Sequence, residues 1–439
     1  MADAGFSFRE RATLLLSNLE EGREVRTYLQ QFSRSNGGCF AVIKVGGALV
    51  AEECAALAER LALLQALELK PIVVLGAGPQ LDARLTAAGI KTERRDNLRV
   101  TPDEAIAIVA EEAAATGLSL VKAVGTAGGS AVLAPPATVK AEPLDEEKYG
   151  RVGRAIGVNA QGIDDLLHTR AIPLICCVGQ DSRGRLLNVN ADDVAREVAR
   201  AVSPQKIVFL TSTGGLLDEK GAIIDSINLQ SDYDRLMAED WIHSGMALKL
   251  SQIKSLLDDL PPSSSVSMTD TSHLMRELFT HGGAGTLIRQ GEAIISEPSP
   301  DTDKLTTLIN GAFGRTLRDD FWQTADLDFI LHSERYRAAA VVTRLGGISC
   351  LDKFAVSVDA RGEGLAKAVW RELAERAPRL IWRSRPNNPF NAFYTAVADG
   401  FIRRDPWFVF WCGTDLDDHI VPLASELAAR PADFVENAK

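Results

Sequence analysis

The sequence predicts two α/β domains in series, the first built on a mainly parallel sheet. The 439 residues exceed what one hydrophobic core usually organises. Strands and helices alternate from 39 to 286, an order typical of a parallel sheet covered by helices. Beyond that point aromatic residues become dense, and the predicted order is several strands, a helix, a strand, a second helix and a last strand. We therefore expect an N-terminal helix (1–38), a first domain (39–286) and a smaller α/β domain (287–439).

Composition and charge narrow the class of protein. The net charge is −11 and no block of lysine and arginine stands out, so nucleic-acid and anionic-membrane partners are disfavoured. No apolar run reaches the ~18 residues of a membrane span, and the acidic N-terminal stretch resembles no targeting signal, which predicts the cytoplasm. The six cysteines form no C-x-x-C pair and the six histidines are scattered, so we expect reduced thiols and no protein-ligated metal.

An amphipathic helix is predicted over residues 6–32, before the first strand. Val25, Tyr28, Leu29 and Phe32 recur at helical spacing and form one apolar stripe. The stripe can pack on the helix's own domain or on a second copy of the chain. The sequence leaves both alternatives open.

Four segments of the first domain have the composition of strands buried on both faces. They are short, continuously apolar and rich in β-branched residues: CFAVIKV (39–45), PIVVLG (71–76), IPLICCV (172–178) and KIVFLT (206–211). Helices are predicted near 51–69, 102–124, 160–169, 190–202 and 246–260. This arrangement predicts a three-layer sandwich, with helices on both faces of the sheet.

Two glycine turns follow buried strands of the first domain. In KVGG, Lys44 precedes Gly46 and Gly47, and VVLGAGPQ (73–80) contains the second turn. A helix N-terminus presents unpaired N–H groups and the positive end of the helix dipole, which favour an anion such as phosphate. Both turns follow the carboxyl ends of strands, where open α/β sheets bind ligands.

Further polar residues accompany these turns. Arg99 in LRVT stands beside a helix start, where a guanidinium can hold a carboxylate at two points. NVNAD places Asn188, Asn190 and Asp192 at a helix entrance, and GMALK places Lys249 near the start of another helix. Each has a structural alternative, because Asn190 or Asp192 can simply cap a helix and Lys249 can lie on a solvated face.

These motifs resemble the amino-acid kinase family, most closely its N-acetylglutamate kinases, over roughly 39–286. The resemblance is carried by KVGG, GAGP, LRVT, NVNAD, FLTSTGG, GMALK and GAGTLI. It implies that ATP, arriving with its own Mg²⁺, is the phosphoryl donor. It also implies that Lys44 and Lys249 stabilise charge on the transferring group and that Asp192 holds these lysines.

The same resemblance implies the binding residues. The two turns line the phosphates, and the second also approaches the substrate: Gly46, Gly47, Gly76, Ala77 and Gly78. Arg99 and Asn188 are implied to bind the acetylglutamate.

Three single positions and one segment, LTSTGG in place of the more common Leu-Thr/Ser-Asp-Val, depart from the kinase pattern. Leu75 stands where the family usually has histidine, Ala77 where it has glycine, and Ser244 where it has the first of two glycines. The added methyl of Ala77 predicts a reduced turnover. An active kinase is favoured because the charged residues are present, and the alternative is a vestigial domain that senses arginine.

A third glycine turn marks the second domain. RGEGLA (361–366) follows the strand DKFAVSV (352–358) and opens a helix, the context of a phosphate-binding turn. Downstream, WRSRPNNPFNAFY (382–394) gathers arginines, asparagines and a tyrosine, and WFVFW (407–411) supplies an apolar strand. Over 290–439 these segments resemble the acetyl-CoA-dependent N-acetyltransferase superfamily, and within it the acetyltransferase domain of N-acetylglutamate synthases.

This second resemblance implies direct acetyl transfer from acetyl-CoA to an amine. Backbone amides of the third turn are implied to hold the pyrophosphate of CoA: Arg361, Gly362, Glu363, Gly364, Leu365 and Ala366. Lys353 and Arg385 are implied to grip the carboxylates of glutamate. Asn388 is implied to orient the reacting groups, and Tyr394 to protonate the departing thiolate.

Together the resemblances imply two consecutive reactions on one chain. The second domain acetylates glutamate and the first phosphorylates the N-acetylglutamate, in a homo-oligomer that arginine inhibits. One alternative makes the first domain a regulatory amino-acid-binding module, and the charged residues argue against it. Another makes the second domain a protein N-terminal acetyltransferase, but WRSR beside NNPFNAFY suits a compact dicarboxylate better than a peptide.

Overall fold

The computed structural model divides the chain into two compact units. It describes residues 39–435 except 92, 97, 205, 243, 262–263, 280–283, 359, 361–363, 414–415 and 417–418. Of these described residues, unit 1 contains those from 39 to 227 and from 236 to 290, and unit 2 contains those from 228 to 235 and from 291 to 435. The predicted N-terminal helix lies outside the described residues.

Up to residue 290, strands and helices alternate along most of the chain. The strands are β1 (Ala41–Val45), β2 (Pro71–Leu75), β3 (Arg94–Arg95), β4 (Leu98–Arg99), β5 (Ala131–Leu133), β6 (Val139–Pro143), β7 (Val152–Val158), β8 (Ile172–Cys176), β9 (Val178–Gln180), β10 (Leu186–Val189), β11 (Lys206–Leu210), β12 (Ser226–Asn228), β13 (Ser265–Thr269) and β14 (Thr286–Arg289). The helices are α1 (Gly47–Ala66), α2 (Gly78–Ala87), α3 (Ile106–Thr126), α4 (Glu146–Tyr149), α5 (Ala160–His168), α6 (Ala191–Val202), α7 (Leu229–Met237), α8 (Ser244–Asp258) and α9 (Leu274–Phe279).

The main sheet of unit 1 is mostly parallel. Its strand order is β12-β14-β13-β11-β1-β2-β8-β5. The neighbours from β13 to β5 all pair in parallel, and β14 pairs antiparallel with β13. The four predicted apolar segments are the consecutive strands β11-β1-β2-β8, and every residue of β2 and β11 is buried. The predicted mainly parallel sheet is confirmed.

Helices pack on this sheet through regularly spaced apolar residues. In α1, Leu57, Leu61 and Leu64 recur at helical spacing, and all three are fully buried in the cluster that contains Ile43 of β1. Each such leucine stabilises the fold by roughly 1.5–3 kcal/mol. The other four predicted helices are also present, as α3, α5, α6 and α8.

Two features of unit 1 differ from the sequence prediction. Helix α2 follows the second glycine turn, and β6, β7, β9 and β10 form a small closed barrel. The barrel strands are three to seven residues long and mix buried with exposed positions. They therefore lack the continuous apolar run that identified the strands of the main sheet.

Unit 2 contains a second sheet with strand order β15-β16-β17-β18-β19-β21-β20. The strands are β15 (Ile294–Ile295), β16 (Leu327–Ser333), β17 (Ala338–Leu345), β18 (Ile348–Val356), β19 (Leu380–Ser384), β20 (Gly400–Arg404) and β21 (Trp407–Cys412). The helices are α10 (Thr302–Phe313), α11 (Phe321–Thr324), α12 (Leu365–Arg376), α13 (Asn391–Val397) and α14 (Ile420–Ala429). The predicted single last strand is a hairpin, β20–β21, which α14 follows.

The two faces of this sheet are covered by different helices. On one face, α12 and α13 pack in an aromatic cluster that includes Trp370, Trp382 and Tyr394. On the opposite face, α10 and α11 pack through Leu305 and Phe321. Successive residues of β17 alternate between the two clusters, as the side chains of a strand do.

Strands β18 and β19 part midway along their length. They pair in parallel where Ser349–Leu351 meets Leu380–Trp382. Farther along, β18 pairs with β17 and β19 pairs with β21. The gap opens toward the end of β18, from which the chain runs into α12.

Within the part of the chain that the structure describes, no helix combines the length and apolar character needed to cross a bilayer.

Candidate active sites

The two glycine turns of unit 1 lie against each other. Gly47 is the first residue of α1, and Gly78 is the first residue of α2. A Cβ on Gly47 would lie 2.9 Å from Ala77 Cα and 3.0 Å from Gly76 O. Gln80 Nε2 donates to Gly47 O at 2.7 Å, which ties the turns together. Two helix N-termini therefore converge, and their unpaired N–H groups can bind an anion.

Gly47→Ala is expected to destabilise unit 1, whereas Gly46→Ala is not. A methyl group at 47 would overlap the backbone of the second turn, and such overpacking typically costs about 1–3 kcal/mol. At Gly46 no described atom lies within 4 Å of an added Cβ, and φ −71°, ψ 149° suits any residue. Thermal unfolding of the two variants measures the difference. Equal melting temperatures would contradict the close packing of the turns.

A lysine–aspartate pair stands at the same end of the sheet. Lys44 Nζ lies 2.9 Å from a carboxylate oxygen of Asp192, near the start of α6. Asn190 caps this helix, because its side-chain oxygen accepts from Asp192 N at 2.9 Å. Lys249 of α8 shares a small cleft with Asp192. Burial lowers the pKa of Lys249, the charge of Lys44 lowers it further, and Asp192 opposes both effects. The structure thus brings the three charged residues together.

A cavity of about 190 Å³ contains the residues predicted to bind the kinase substrate. Its lining includes Gly76, Ala77, Gly78, Arg99 and Asn188. Arg99 is 7% exposed, donates from Nη2 to Gly78 O at 3.0 Å, and pairs with Asp82. The hydrogen bond from Arg99 lowers the pKa of Asp82. A buried guanidinium in the wall of a small cavity can receive a carboxylate substrate.

The sequence analysis missed Arg94, Asp82 and Cys177 in this region. Arg94 also lines the cavity and lies 3.6 Å from Asp82. Cys177 Sγ donates to Leu75 O at 2.8 Å, and burial raises the pKa of its thiol. Arg94 belongs to a strand of two residues, which is too short to give a periodic signal. Cys177 lies in an apolar run that is indistinguishable from any other buried strand.

The structure places the three residues that depart from the kinase pattern at the ends of regular elements of unit 1. Ala77 belongs to an apolar cluster with Leu81 and Val109, and its φ of −131° is one that any residue adopts. Leu75 ends β2 and is buried in the main core. Ser244 begins α8. Alanine at 77 is therefore accommodated without backbone strain.

The third glycine turn is described only from Gly364 onward, since Arg361, Gly362 and Glu363 lie outside the described residues. Gly364 is the N-cap of α12 with φ 81°, a left-handed conformation that favours glycine. Leu365 and Ala366 open the helix. The N-terminus of α12 can bind an anion, as expected of the helix predicted to hold the pyrophosphate of CoA.

Asn388 and Tyr394 lie before and within α13. Asn388 donates from Nδ2 to Ser384 Oγ at 2.8 Å and accepts at Oδ1 from Phe390 N at 3.0 Å. These two bonds link the end of β19 to the start of α13. Tyr394 is 7% exposed, with ring centroids 5.6 Å from Trp382 and 5.7 Å from Phe410. Burial raises the pKa of Tyr394, so its hydroxyl stays protonated.

The two predicted glutamate-binding cations have partners inside unit 2. The guanidinium of Arg385 lies 3.8 Å from the centroid of the Trp407 ring. Lys353 Nζ lies 2.7 Å from Asp433 Oδ2 and also pairs with Asp352. Lys353 is on the α10–α11 face of the sheet, whereas Tyr394 is on the opposite face. Among the described residues no group of His, Cys, Asp and Glu forms a candidate metal site.

Comparison with known proteins identifies relatives over most of the chain. It is 45% identical over 420 residues to an acetylglutamate kinase of Xanthomonas campestris pv. campestris, an alignment that covers 94% of this chain and 99% of the relative. It is 32% identical over 405 residues to the human mitochondrial N-acetylglutamate synthase, covering 89% of this chain and 72% of the relative. The solved N-acetylglutamate synthase of Neisseria gonorrhoeae, with coenzyme A and N-acetyl-glutamate, shares the fold at a TM-score of 0.61 and 18% identity, covering 89% of this chain and 98% of that one.

Fold, sites and relatives define a fused pair of transferase domains, a kinase domain followed by an acetyltransferase domain. The chain belongs to the amino acid kinase family, whose sequence model matches residues 40–259. Residues 289–429 match the N-acetyltransferase of N-acetylglutamate synthase. Both families consist of enzymes.

Proposed function

We propose that the chain catalyses two consecutive reactions of arginine biosynthesis. Unit 2 transfers the acetyl group of acetyl-CoA to glutamate, and unit 1 phosphorylates the γ-carboxylate of N-acetylglutamate with ATP. The observation that carries the proposal is the cluster of Lys44, Asp192 and Lys249 at the end of the sheet where the glycine turns converge. The names of the relatives, acetylglutamate kinase and N-acetylglutamate synthase, support these substrates.

In unit 1 the protein positions the reactants and neutralises charge, because phosphoryl transfer needs little covalent help. The N-termini of α1 and α2 receive phosphate oxygens of Mg²⁺-bound ATP. Lys44 and Lys249 neutralise charge on the transferring group, and Asp192 holds Lys44 in place. Asp192 offsets one of the two ammonium charges, so one net positive charge faces the phosphoryl group. Arg99 and Asn188 bind the acetylglutamate in the cavity.

In unit 2 the glutamate amine attacks the thioester carbonyl directly. The C–N bond forms and the C–S bond breaks. The amine gives a proton to solvent water, Tyr394 gives a proton to the departing thiolate, and water then reprotonates Tyr394. The N-terminus of α12 receives the pyrophosphate, and the gap between β18 and β19 admits the thioester arm. Asn388 fixes the turn that carries α13, while Lys353 and Arg385 bind the carboxylates of glutamate.

The proposal also includes inhibition by arginine, assembly into a homo-oligomer and a cytoplasmic location. Arginine inhibits the pathway by binding the kinase unit beside the predicted N-terminal helix, whose apolar stripe joins copies of the chain in a homo-oligomer. We place the protein in the cytoplasm, since all six cysteines are free thiols, as expected in a reducing compartment.

Two assays on the purified chain test the proposal. The first follows CoA release from acetyl-CoA and glutamate, and the second follows ADP release from ATP and N-acetylglutamate, each with and without arginine. We expect turnover in both assays and inhibition by arginine. Absence of CoA release would refute the assignment of unit 2.

A second candidate function makes unit 1 an arginine sensor without kinase turnover. The departures at Leu75, Ala77 and Ser244 favour it. CoA release that arginine inhibits, together with no ADP release at any substrate concentration, would establish this alternative and refute the proposed kinase reaction.

A further inference from the structure

The buried ammonium of Lys353 has a complete set of partners within unit 2. Lys353 is 3% exposed, and its Nζ pairs with Asp352 and with Asp433, the latter at 2.7 Å. The same Nζ stands over the rings of Phe321 and Phe434, 4.7 and 5.5 Å from their centroids. An ammonium has three N–H groups, and two carboxylates and two ring faces surround this one.

Two carboxylates already face Lys353 without a substrate. Asp352 and Asp433 face Lys353, and the Arg383 guanidinium lies close enough to interact electrostatically with both carboxylates. A carboxylate of glutamate at Lys353 would add a third negative charge to this buried group. Repulsion between like charges is much stronger in a buried site than in water. Glutamate can therefore pair with Lys353 only after one aspartate has moved away.

Of the two aspartates, Asp433 is the one that lies outside the sheet. Asp352 lies inside β18, between residues whose backbones pair with β17. Asp433 lies in the C-terminal segment, residues 431–435, which follows α14. The backbone carbonyl of Asp433 accepts a hydrogen bond from Arg318 N at 2.9 Å, and Val435 N donates one to Thr316 O at 2.8 Å.

Among the remaining contacts of the C-terminal segment, Phe434 forms an isolated β-bridge with Leu317 and packs against the cluster on the α10–α11 face. Phe434 packs against the half-exposed Phe313 with ring centroids 5.1 Å apart, and Arg383 donates to Pro431 O at 3.1 Å. The segment is thus held by one isolated bridge, the Phe434 side chain and a few hydrogen bonds, whereas β18 pairs with β17 from Ile348 to Val356.

We propose that Asp433 occupies the position of a glutamate carboxylate at Lys353, and that glutamate binds by displacing it. Asp433 is then a positioning residue. It keeps the buried ammonium paired before substrate arrives, because an unpaired buried charge is strongly destabilising. The C-terminal segment thereby weakens the apparent affinity for glutamate. This inference rests on the proposed acetyltransferase function of unit 2.

Asp433→Asn tests the inference. The amide keeps the shape of the side chain but removes the charge that competes with the substrate. We expect the KM for glutamate to fall about 10-fold, because a charge-assisted hydrogen bond no longer has to be broken. The kcat and the KM for acetyl-CoA should stay within about twofold. Asp303→Asn is the matched control, since Asp303 is an exposed carboxylate in the first turn of α10 and its loss should leave all three constants unchanged.

Hydrogen exchange provides a second readout on the wild-type chain. Saturating glutamate with CoA should speed exchange of the Val435 and Arg318 amides, whose bonds hold the segment. A KM for glutamate that rises or stays the same in Asp433→Asn would overturn the inference, as would unchanged amide exchange. A wild-type chain that releases no CoA from acetyl-CoA and glutamate would instead refute the proposed function of unit 2.

Discussion

Lys44→Met is expected to lower ADP release from ATP and N-acetylglutamate by at least about 100-fold, while CoA release from acetyl-CoA and glutamate stays within about twofold. Lys44 lies in unit 1, at the end of β1, and pairs with Asp192 at 2.9 Å. Methionine keeps the unbranched, apolar part of the side chain but removes the ammonium. The kinase site then loses a charge that stabilises the transition state, and the acetyltransferase site is unaltered.

Lys249→Met should have a similar effect, since the two ammonium groups serve the same phosphoryl group. Burial and the neighbouring Lys44 both lower the pKa of Lys249, so the two lysines act as a coupled pair. The double variant is therefore expected to lose little more than either single variant, because residues that act as a unit are not additive.

A matched control separates the loss of a charge at the site from the loss of a lysine in general. Lys220 lies in an exposed turn of unit 1, and Lys220→Met should leave both activities unchanged. Melting curves establish that each variant is folded. A folded Lys44→Met chain that loses both activities would contradict the assignment of the reactions to two separate sites.

The sequence predicted the sheet and the charged kinase residues because both have strong local signals. The continuous apolar, β-branched runs of β1 and β2 are typical of strands buried on both faces, and the carboxyl ends of such strands are where open α/β sheets bind ligands. Lys44, Asp192 and Lys249 are separated by more than 200 residues of chain from first to last. Their convergence was predicted from the family resemblance, since no spacing rule connects residues so far apart.

Contacts that depend on tertiary structure were not predicted. The bonds from Arg99 to Asp82 and from Gln80 to Gly47 join side chains to groups on other elements, and no periodicity marks them. The pairing of Lys353 with Asp433 joins residues 80 positions apart and depends on the path of the chain after α14. Sequence patterns report local structure and burial, so the ion pairs that complete a site become visible only in the fold.

Tyr394→Phe is expected to lower the kcat of CoA release by about 100- to 10,000-fold, the usual contribution of one general acid. Acetyl transfer expels a thiolate whose conjugate thiol has a pKa of about 8.5, by analogy with cysteine. A protonated hydroxyl near the sulfur therefore lowers the barrier. Burial raises the pKa of Tyr394, which keeps the phenol in the protonated form that an acid must have.

The alternative is that Tyr394 only packs, and the phenylalanine variant separates the two roles. The ring lies 5.6 Å from Trp382 and 5.7 Å from Phe410, and phenylalanine preserves these contacts, so the melting temperature should change little. Tyr336→Phe is the control, because it removes a hydroxyl of unit 2 that bonds Asp301 N and Glu297, outside the aromatic cluster. It should leave kcat unchanged. The proton is delivered only as the C–S bond breaks, so Tyr394→Phe should alter kcat far more than the KM for either substrate. A folded Tyr394→Phe chain with near wild-type kcat would exclude Tyr394 as the proton donor and leave the hydroxyl with no role in the transfer.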